Sequence, residues 1–189
     1  IAIACILMGA GLPTTALYIM LVSVAQPALT GLGVPPLATH MFVLYYGVIS
    51  EITPPVCASA YAAAGIANAN PFRTGVSAFT LGLGKLMVPM VFVYAPTMLI
   101  VLPEYFTLAS FLQVSLTCAL GVFAIATAVS GYYMTPLKGI WRLLMAIAGL
   151  LLVAPSGSSD LLSLILFAPV ILQQVLSQRR ENMPTPSAG

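Results

Sequence analysis

The chain has 189 residues, of which 60% are hydrophobic and only 5% are charged, and its formal net charge is +2. A soluble domain carries about 25% charged residues. This composition therefore excludes an ordinary soluble protein and predicts an integral membrane protein whose solvent is the lipid bilayer. The small net charge does not indicate nucleic acid as a partner.

Long uncharged runs recur along the chain, and most are long enough to cross a bilayer as a helix. They lack the sustained alternation that a lipid-facing barrel strand needs. The predicted fold class is therefore all-α, a polytopic membrane helical bundle. Helical segments are predicted at 1–11, 14–30, 37–67, 75–102, 108–131, 139–154 and 161–177, with turns rich in Gly, Pro, Asn or Ser between them.

The positive charges indicate an orientation. If the turn at 68–73 is cytoplasmic, every Lys and Arg falls near the cytoplasmic face, provided that 75–84 lies along the interface and the span proper is 86–102. The C-terminus is then predicted to be cytoplasmic. The chain divides into 1–102, three additional transmembrane helices within 103–178, and a polar tail at 179–189 that is predicted to be disordered.

Segment 37–67 contains the sequence Ser-Glu-Ile-Thr-Pro-Pro at 50–55. As one helix, this segment would be roughly 46 Å long at 1.5 Å per residue. The hydrocarbon core is only about 30 Å thick. A break resolves the mismatch, because two half-helices near 38–50 and 56–67 would place 50–55 near the midplane.

Oxygen atoms are predicted to converge at this break. Proline has no N–H and clashes with the carbonyl four residues back, so Pro54 would free the Ser50 carbonyl and Pro55 the Glu51 carbonyl. The Ser50 and Thr53 hydroxyls and the Glu51 carboxylate add further oxygens, at the partially negative end of a half-helix. Hard oxygen ligands of this kind predict a site for Na⁺, or for a proton on Glu51.

A second interruption is predicted at 9–15. Pro13 would free the Gly9 carbonyl, and Pro13 or Thr14 would begin a new helix whose free N–H groups suit an anionic group. Residues 1–30 then form the later part of a re-entrant hairpin with its tip at 9–15, and the substrate is predicted between the two breaks. A continuous span with a Gly-Pro kink is the alternative.

Two sets of candidate site residues follow. The predicted ion-binding residues are Gly9, Ser50, Glu51, Thr53 and Pro54. The predicted substrate-binding residues are Gly11, Pro13, Thr14, Thr15, Pro55 and Asn68. Asn68 is better explained as a turn residue, with substrate contact as the alternative, and His40 as an interfacial histidine. The sequence predicts no catalytic site, no metal site beyond Na⁺ and no cofactor beyond the coupling ion, because it contains no Cys-x-x-Cys, nucleotide loop or zinc-protease helix.

Three stretches, MGAGLPTTALYIMLV, SEITPPVCASAYAAAGIANANPFRTG and MVPMVFVYAPTML, resemble the large membrane subunit of TRAP (tripartite ATP-independent periplasmic) transporters. The Ser-Glu-Ile-Thr-Pro-Pro core followed by AYAAAGIA is most similar to the TAXI type, whose two membrane subunits are often fused. The resemblance covers 1–102. Because the chain begins within an apolar run and without Met, we expect a C-terminal fragment of such a permease.

The resemblance implies a permease of the bacterial or archaeal cytoplasmic membrane that moves a solute inward by an elevator motion driven by an ion gradient. It implies two hairpins and two broken helices in an inverted repeat, with 9–15 as the second hairpin tip and 50–55 as the second broken helix. The implied partners are a periplasmic solute-binding protein and the remainder of the permease, including the small membrane subunit or fused region. Sodium coupling is attributed to the sialic-acid type, in which the position matching Glu51 is usually apolar. Glu51 is therefore read either as a proton-coupling group or as an ion ligand.

The sequence thus predicts a permease subunit, not an enzyme, that imports a small anionic organic solute with Na⁺ or H⁺. The alternative is a structural or assembly subunit of a membrane complex in which both breaks are only kinks.

Overall fold

The computed structural model describes residues 1–9, 11–153 and 156–181. These residues form helices and turns, with no β-strand among them, which confirms the predicted all-α class. Three helical stretches are long and apolar enough to cross a membrane by length and composition, namely Pro71–Tyr94, Leu108–Ser130 and Ser158–Gln178. The structure is therefore that of a polytopic membrane helical bundle.

The first half of the chain is built from short helices. They are α1 (Ala2–Met8), α2 (Thr14–Thr30), α3 (Pro36–Ser50), α4 (Ala58–Ile66), α5 (Pro71–Gly82) and α6 (Met87–Tyr94). A 3₁₀ turn, Leu83–Leu86, joins α5 to α6. The predicted start and end of α2 agree with the structure.

Three further helices follow in the second half. They are α7 (Leu108–Ser130), α8 (Gly139–Leu151) and α9 (Gly157–Glu181). α8 packs against both α7 and α9. It has 13 residues, or about 20 Å, so it is shorter than the span predicted at 139–154. α9 continues into the first residues of the predicted disordered tail, and 182–189 lie outside the described residues.

Local signals at the helix ends explain most of these boundaries. The Asn70 side chain accepts a hydrogen bond from the Arg73 N–H at 3.0 Å, and Pro71 occupies the first position of α5. The Thr107 hydroxyl accepts from the Ser110 N–H at 3.3 Å at the start of α7. Gly131 ends α7 with a φ of +68°. These are the capping residues that helices favour at such positions.

The structure corrects the span predicted at 86–102. The continuous helical stretch is Pro71–Tyr94, and it ends where Ala95 adopts a φ of −136° ahead of Pro96. The glycines near Lys85 do not end the stretch, because a 3₁₀ turn accommodates them. Gly84 packs there against α7: a Cβ added to it would lie 3.2 Å from Val122. Lys85 therefore lies inside this helical stretch and not at its end.

Two groups of helices are each packed around a core. Buried side chains of α2 and α3, among them Leu17, Leu21 and Val43, form the first core. Those of α7, α8 and α9, among them Met145 and Val170, form the second. Contacts between α6 and α7 join the two groups.

Candidate functional site

The helix of segment 37–67 is interrupted. α3 ends at Ser50 and α4 begins at Ala58, so the chain between them is not helical. α3 and α4 correspond to the predicted half-helices at 38–50 and 56–67. The continuous helix that would have made the prolines simple kinks is absent here.

Two of the three carbonyls predicted to be free have donors. The Thr53 N–H donates to the Ser50 carbonyl at 3.1 Å, and the Leu12 N–H donates to the Gly9 carbonyl at 3.5 Å. The prediction of unpaired carbonyls at Ser50 and Gly9 is therefore wrong. In an α-helix each of these carbonyls would accept from the N–H four residues later, which proline lacks. Here a tight turn lets the N–H three residues later donate to it instead. No donor among the described residues reaches the Glu51 carbonyl.

The two hydroxyl ligands predicted at the break, those of Ser50 and Thr53, hydrogen-bond to carbonyls of α3. The Ser50 hydroxyl donates to the Gly47 carbonyl at 2.6 Å, and the Thr53 hydroxyl to the Ile49 carbonyl at 2.9 Å. Ser50 is 1% exposed, and a Cβ added to Gly9 would lie only 2.6 Å from the Ser50 Cβ. Ser50 thus packs α1 against α3, whereas half-buried Thr53 keeps lone pairs near the break.

The Glu51 carboxylate connects the two interruptions. The Thr14 hydroxyl donates to one carboxylate oxygen, and the Ser59 hydroxyl donates to the other at 3.2 Å. Thr14 is the first residue of α2, and Ser59 lies in the first turn of α4. Two helix N-termini, each with partial positive charge, therefore lie close to the carboxylate. Sequence reasoning did not identify Ser59, although its place just beyond the break was a usable signal.

A cavity lies at this junction. It has a volume of about 250 Å³ and is lined by Gly11, Leu12, Pro13, Glu51 and Ala58. Gly11 has a φ of +87°, a conformation that glycine adopts without steric cost. The structure thus brings together four of the predicted site residues: Gly11, Pro13, Thr14 and Glu51. Ala10, which belongs to the predicted hairpin tip, lies outside the described residues.

Other predicted substrate residues lie away from the cavity lining. Thr15 is exposed. The exposed Pro55 accepts a hydrogen bond on its carbonyl from the Tyr61 hydroxyl at 2.7 Å. Asn68 follows the far end of α4, which has nine residues and is about 14 Å long.

The geometry of Asn68 is that of a turn residue. Its φ is +49°, and the next N–H, that of Ala69, donates back to the Ala64 carbonyl at 2.9 Å. This is the pattern by which a left-handed residue ends a helix.

Two glycines of α5 pack closely against the interrupted segment. A Cβ added to Gly82 would lie 2.6 Å from the Ile52 Cδ1, and one added to Gly75 would overlap the Cys57 sulfur. Ile52 and Cys57 lie at the two ends of the interruption. α5 therefore contacts both ends of the segment that carries Glu51. The sequence reasoning did not predict this contact, because it depends on how α5 lies against the break.

His40 has a partner that the sequence did not reveal. The Tyr18 hydroxyl on α2 and the His40 Nδ1 on α3 share a hydrogen bond of 2.6 Å. His40 is half-buried. It pairs the two helices away from the cavity lining.

One protein family matches most of this region. The model of the family described as "Tripartite ATP-independent periplasmic transporter, DctM component" matches residues 1–106. No curated protein and no solved structure matches the chain in the corresponding comparisons. The matched range contains both interruptions, the Glu51 cavity and α5, and it covers more than half of the chain. The chain therefore belongs to the DctM family and is a membrane permease component of a tripartite ATP-independent periplasmic transporter.

Proposed function

We propose that this chain forms part of the solute and coupling-ion site of a permease that imports a small anionic organic solute. Glu51 is the coupling group, and it binds either Na⁺ or a proton. The solute anion lies near the start of α2, at the cavity lined by Gly11 and Pro13. We assign the permease to the TAXI type, on the AYAAAGIA sequence that follows the break.

The observation that carries this proposal is the contact of Thr14 and Ser59 with the two carboxylate oxygens of Glu51. Glu51 is the only acidic residue in 1–103. It is half-buried, and no described Lys or Arg side chain pairs with it. A carboxylate in a membrane without a structural cation is a functional candidate by default.

Electrostatics supply a reason for coupling. A solute anion near the start of α2 is attracted by the helix N-terminus but repelled by an ionised Glu51. A cation on Glu51, or a proton, removes that repulsion. Each ligand then raises the affinity for the other by the same factor, which is the thermodynamic requirement for coupled binding.

The family implies partners that deliver and share the solute. A periplasmic binding protein presents the solute, and other membrane subunits complete the permease. Because these partners contribute to uptake, the proposed site is to be tested with them present.

Glu51→Gln tests the proposal. The chain is reconstituted in vesicles with the other membrane subunits, the binding protein is added, and solute uptake is measured under a Na⁺ gradient and then under a proton gradient. We expect gradient-driven uptake to fall at least about tenfold, because glutamine has no charge to neutralise. Glu104→Gln, an exposed carboxylate outside the helices, is the matched control and keeps full uptake.

Each result has a defined meaning. The gradient that drives wild-type uptake identifies the coupling ion, and loss of that uptake in Glu51→Gln supports Glu51 as the coupling group. Wild-type uptake by Glu51→Gln, with the same gradient dependence, contradicts the proposed site and favours a structural role for both breaks.

A further inference from the structure

An apolar groove of about 620 Å³ separates the family-matched helices from the C-terminal ones. One wall is formed by α3, by α6 and by the turn before α6, and the other by α7 and α8. The groove follows the chain from Leu83 to Tyr94, a distance of roughly 17 Å at helical rises. It is elongated and lies mainly along helices apolar enough to span a membrane.

The side chains that line the groove are apolar except for two tyrosines, Tyr46 and Tyr94. Met87, Met90, Ile125 and Leu150 are among its residues. The hydroxyl of Tyr46, which also lines it, donates to the Leu86 carbonyl at 2.9 Å. Apolar cavities do not hold water and accept apolar ligands, and thioether side chains adapt to irregular ones. In a bilayer the apolar ligand at hand is an acyl chain.

A positive charge marks one end of the groove. Val129 lines it, and the Val129 carbonyl accepts a hydrogen bond from the Arg142 Nη2 at 2.9 Å. The Arg142 Nε donates to the Ala128 carbonyl at 2.8 Å. The Nη1 has no acceptor among the described residues. Lys138 lies one helical turn earlier and is exposed. Basic groups beside a groove between membrane helices attract anionic headgroups.

We propose that this groove binds one anionic phospholipid. Its acyl chain lies along α6 between Met87 and Tyr94, and its phosphate contacts the Arg142 guanidinium at the Val129 end. The lipid thereby fills the space between the DctM-matched region and α7–α8. This site is separate from the Glu51 cavity and does not depend on the proposed coupling role of Glu51.

Photolabelling of the wild-type chain tests the headgroup. The chain is reconstituted in phosphatidylcholine vesicles that contain a trace of phosphatidylglycerol with a photoreactive acyl chain, and the labelled peptides are mapped. We expect labelling of α6 and α8. A phosphatidylcholine probe of the same chain should label them about fivefold less, the ratio expected from one basic residue at the headgroup. Equal labelling by the two probes, or none on these helices, overturns the proposal.

A pair of α8 variants tests the groove itself without removing the Arg142 hydrogen bonds. Leu150→Trp fills the groove from a position that is 62% exposed, and Leu143→Trp, at 55% exposed, makes the same change outside the lining. We expect Leu150→Trp to lower phosphatidylglycerol labelling severalfold and Leu143→Trp to leave it unchanged. Undiminished labelling of Leu150→Trp contradicts the proposed position of the acyl chain.

Discussion

The DctM-matched region and the C-terminal helices satisfy the same requirement in different ways. Backbone polar groups in a membrane must find partners inside the protein. In the matched region the helices are short apart from the continuous stretch Pro71–Tyr94, and at the breaks tight turns supply the partners of the Ser50 and Gly9 carbonyls. In the C-terminal region α7 and α9 are long, and side chains close the turn between α7 and α8.

Two side chains, Gln174 and Arg142, close that turn through hydrogen bonds. The Gln174 carbonyl oxygen accepts from the Thr135 N–H and from the Thr135 hydroxyl, each at 2.9 Å, and Gln174 is 1% exposed. Arg142 donates to the last carbonyls of α7. All of these partners are protein groups.

The break at Glu51 differs because a cavity remains beside it. Thr14 and Ser59 contact the carboxylate through hydroxyl groups, which can rotate to bind a cation through their lone pairs. The interrupted helix therefore offers groups that a ligand in the cavity can bind, whereas the contact between Thr135 and Gln174 is buried and offers none. We expect changes in the groups beside the cavity to affect transport, and changes in tightly packed or fully paired contacts to affect stability.

The largest expected effect is a loss of stability at the contact between α1 and α3. In Gly9→Ala the new Cβ would lie 2.6 Å from the Ser50 Cβ and 2.9 Å from the Cys5 carbonyl oxygen. We expect the free energy of unfolding in detergent to fall by about 3 kcal/mol, the upper end of typical overpacking costs. Gly65→Ala, which meets no atom within 4 Å, is the control and should raise it by about 0.5 kcal/mol. Equal stabilities of the two variants would show that α1 does not pack closely on α3.

Gln174→Leu tests the closed turn. The substitution leaves the Thr135 N–H and hydroxyl without their acceptor, so we expect a loss of about 2 kcal/mol in the free energy of unfolding. Ser177→Ala removes only a bond of 3.2 Å with the half-buried Gln173 side chain and should cost less than about 1 kcal/mol. Uptake per folded molecule should match the wild type in both. A transport defect without destabilisation would contradict the division between the regions.

Thr14→Val tests the contact with Glu51 and distinguishes the coupling ions. Hydrogen bonds to charged groups contribute about 1.5–3 kcal/mol, so we expect at least a tenfold change in apparent affinity for the coupling ion. The affinity should weaken for Na⁺, which loses an oxygen ligand. A proton, which binds to the carboxylate itself, loses no ligand in this variant.

The neighbouring hydroxyl provides the matched control for this measurement. Thr15→Val changes an exposed side chain and should alter the apparent affinity less than about twofold, as surface substitutions have small effects. Equal shifts in the two variants would remove Thr14 from the proposed site.

The smallest effect is expected at Asn68. Because its φ is +49°, Asn68→Gly should keep the free energy of unfolding within about 0.5 kcal/mol. Uptake should also be unchanged if Asn68 only ends α4. A severalfold loss of uptake in a stable Asn68→Gly variant would restore the predicted substrate contact.

Local sequence signals predicted much of the fold but less of the site. The hydrophobic runs and the Gly, Pro and Asn turns indicated the bundle, the bounds of α2 and the break after Ser50, because helix length and proline chemistry act within a few residues. They failed at Lys85, where the helical stretch continues through a 3₁₀ turn and Gly84 packs against α7. They also missed Ser59 and the α5 glycines as neighbours of the break.

By itself, the sequence determined that this chain lies in a membrane and that it is helical, and it predicted interruptions at 50–55 and at 9–15, with a kinked continuous span as the alternative at 9–15. Composition, span length and the missing N–H of proline are sufficient for these conclusions. Only the tertiary structure decided that Glu51 meets Thr14 and Ser59, and that Ser50 packs against Gly9 with its carbonyl paired. Those contacts join residues far apart in the chain, so they depend on how the helices pack.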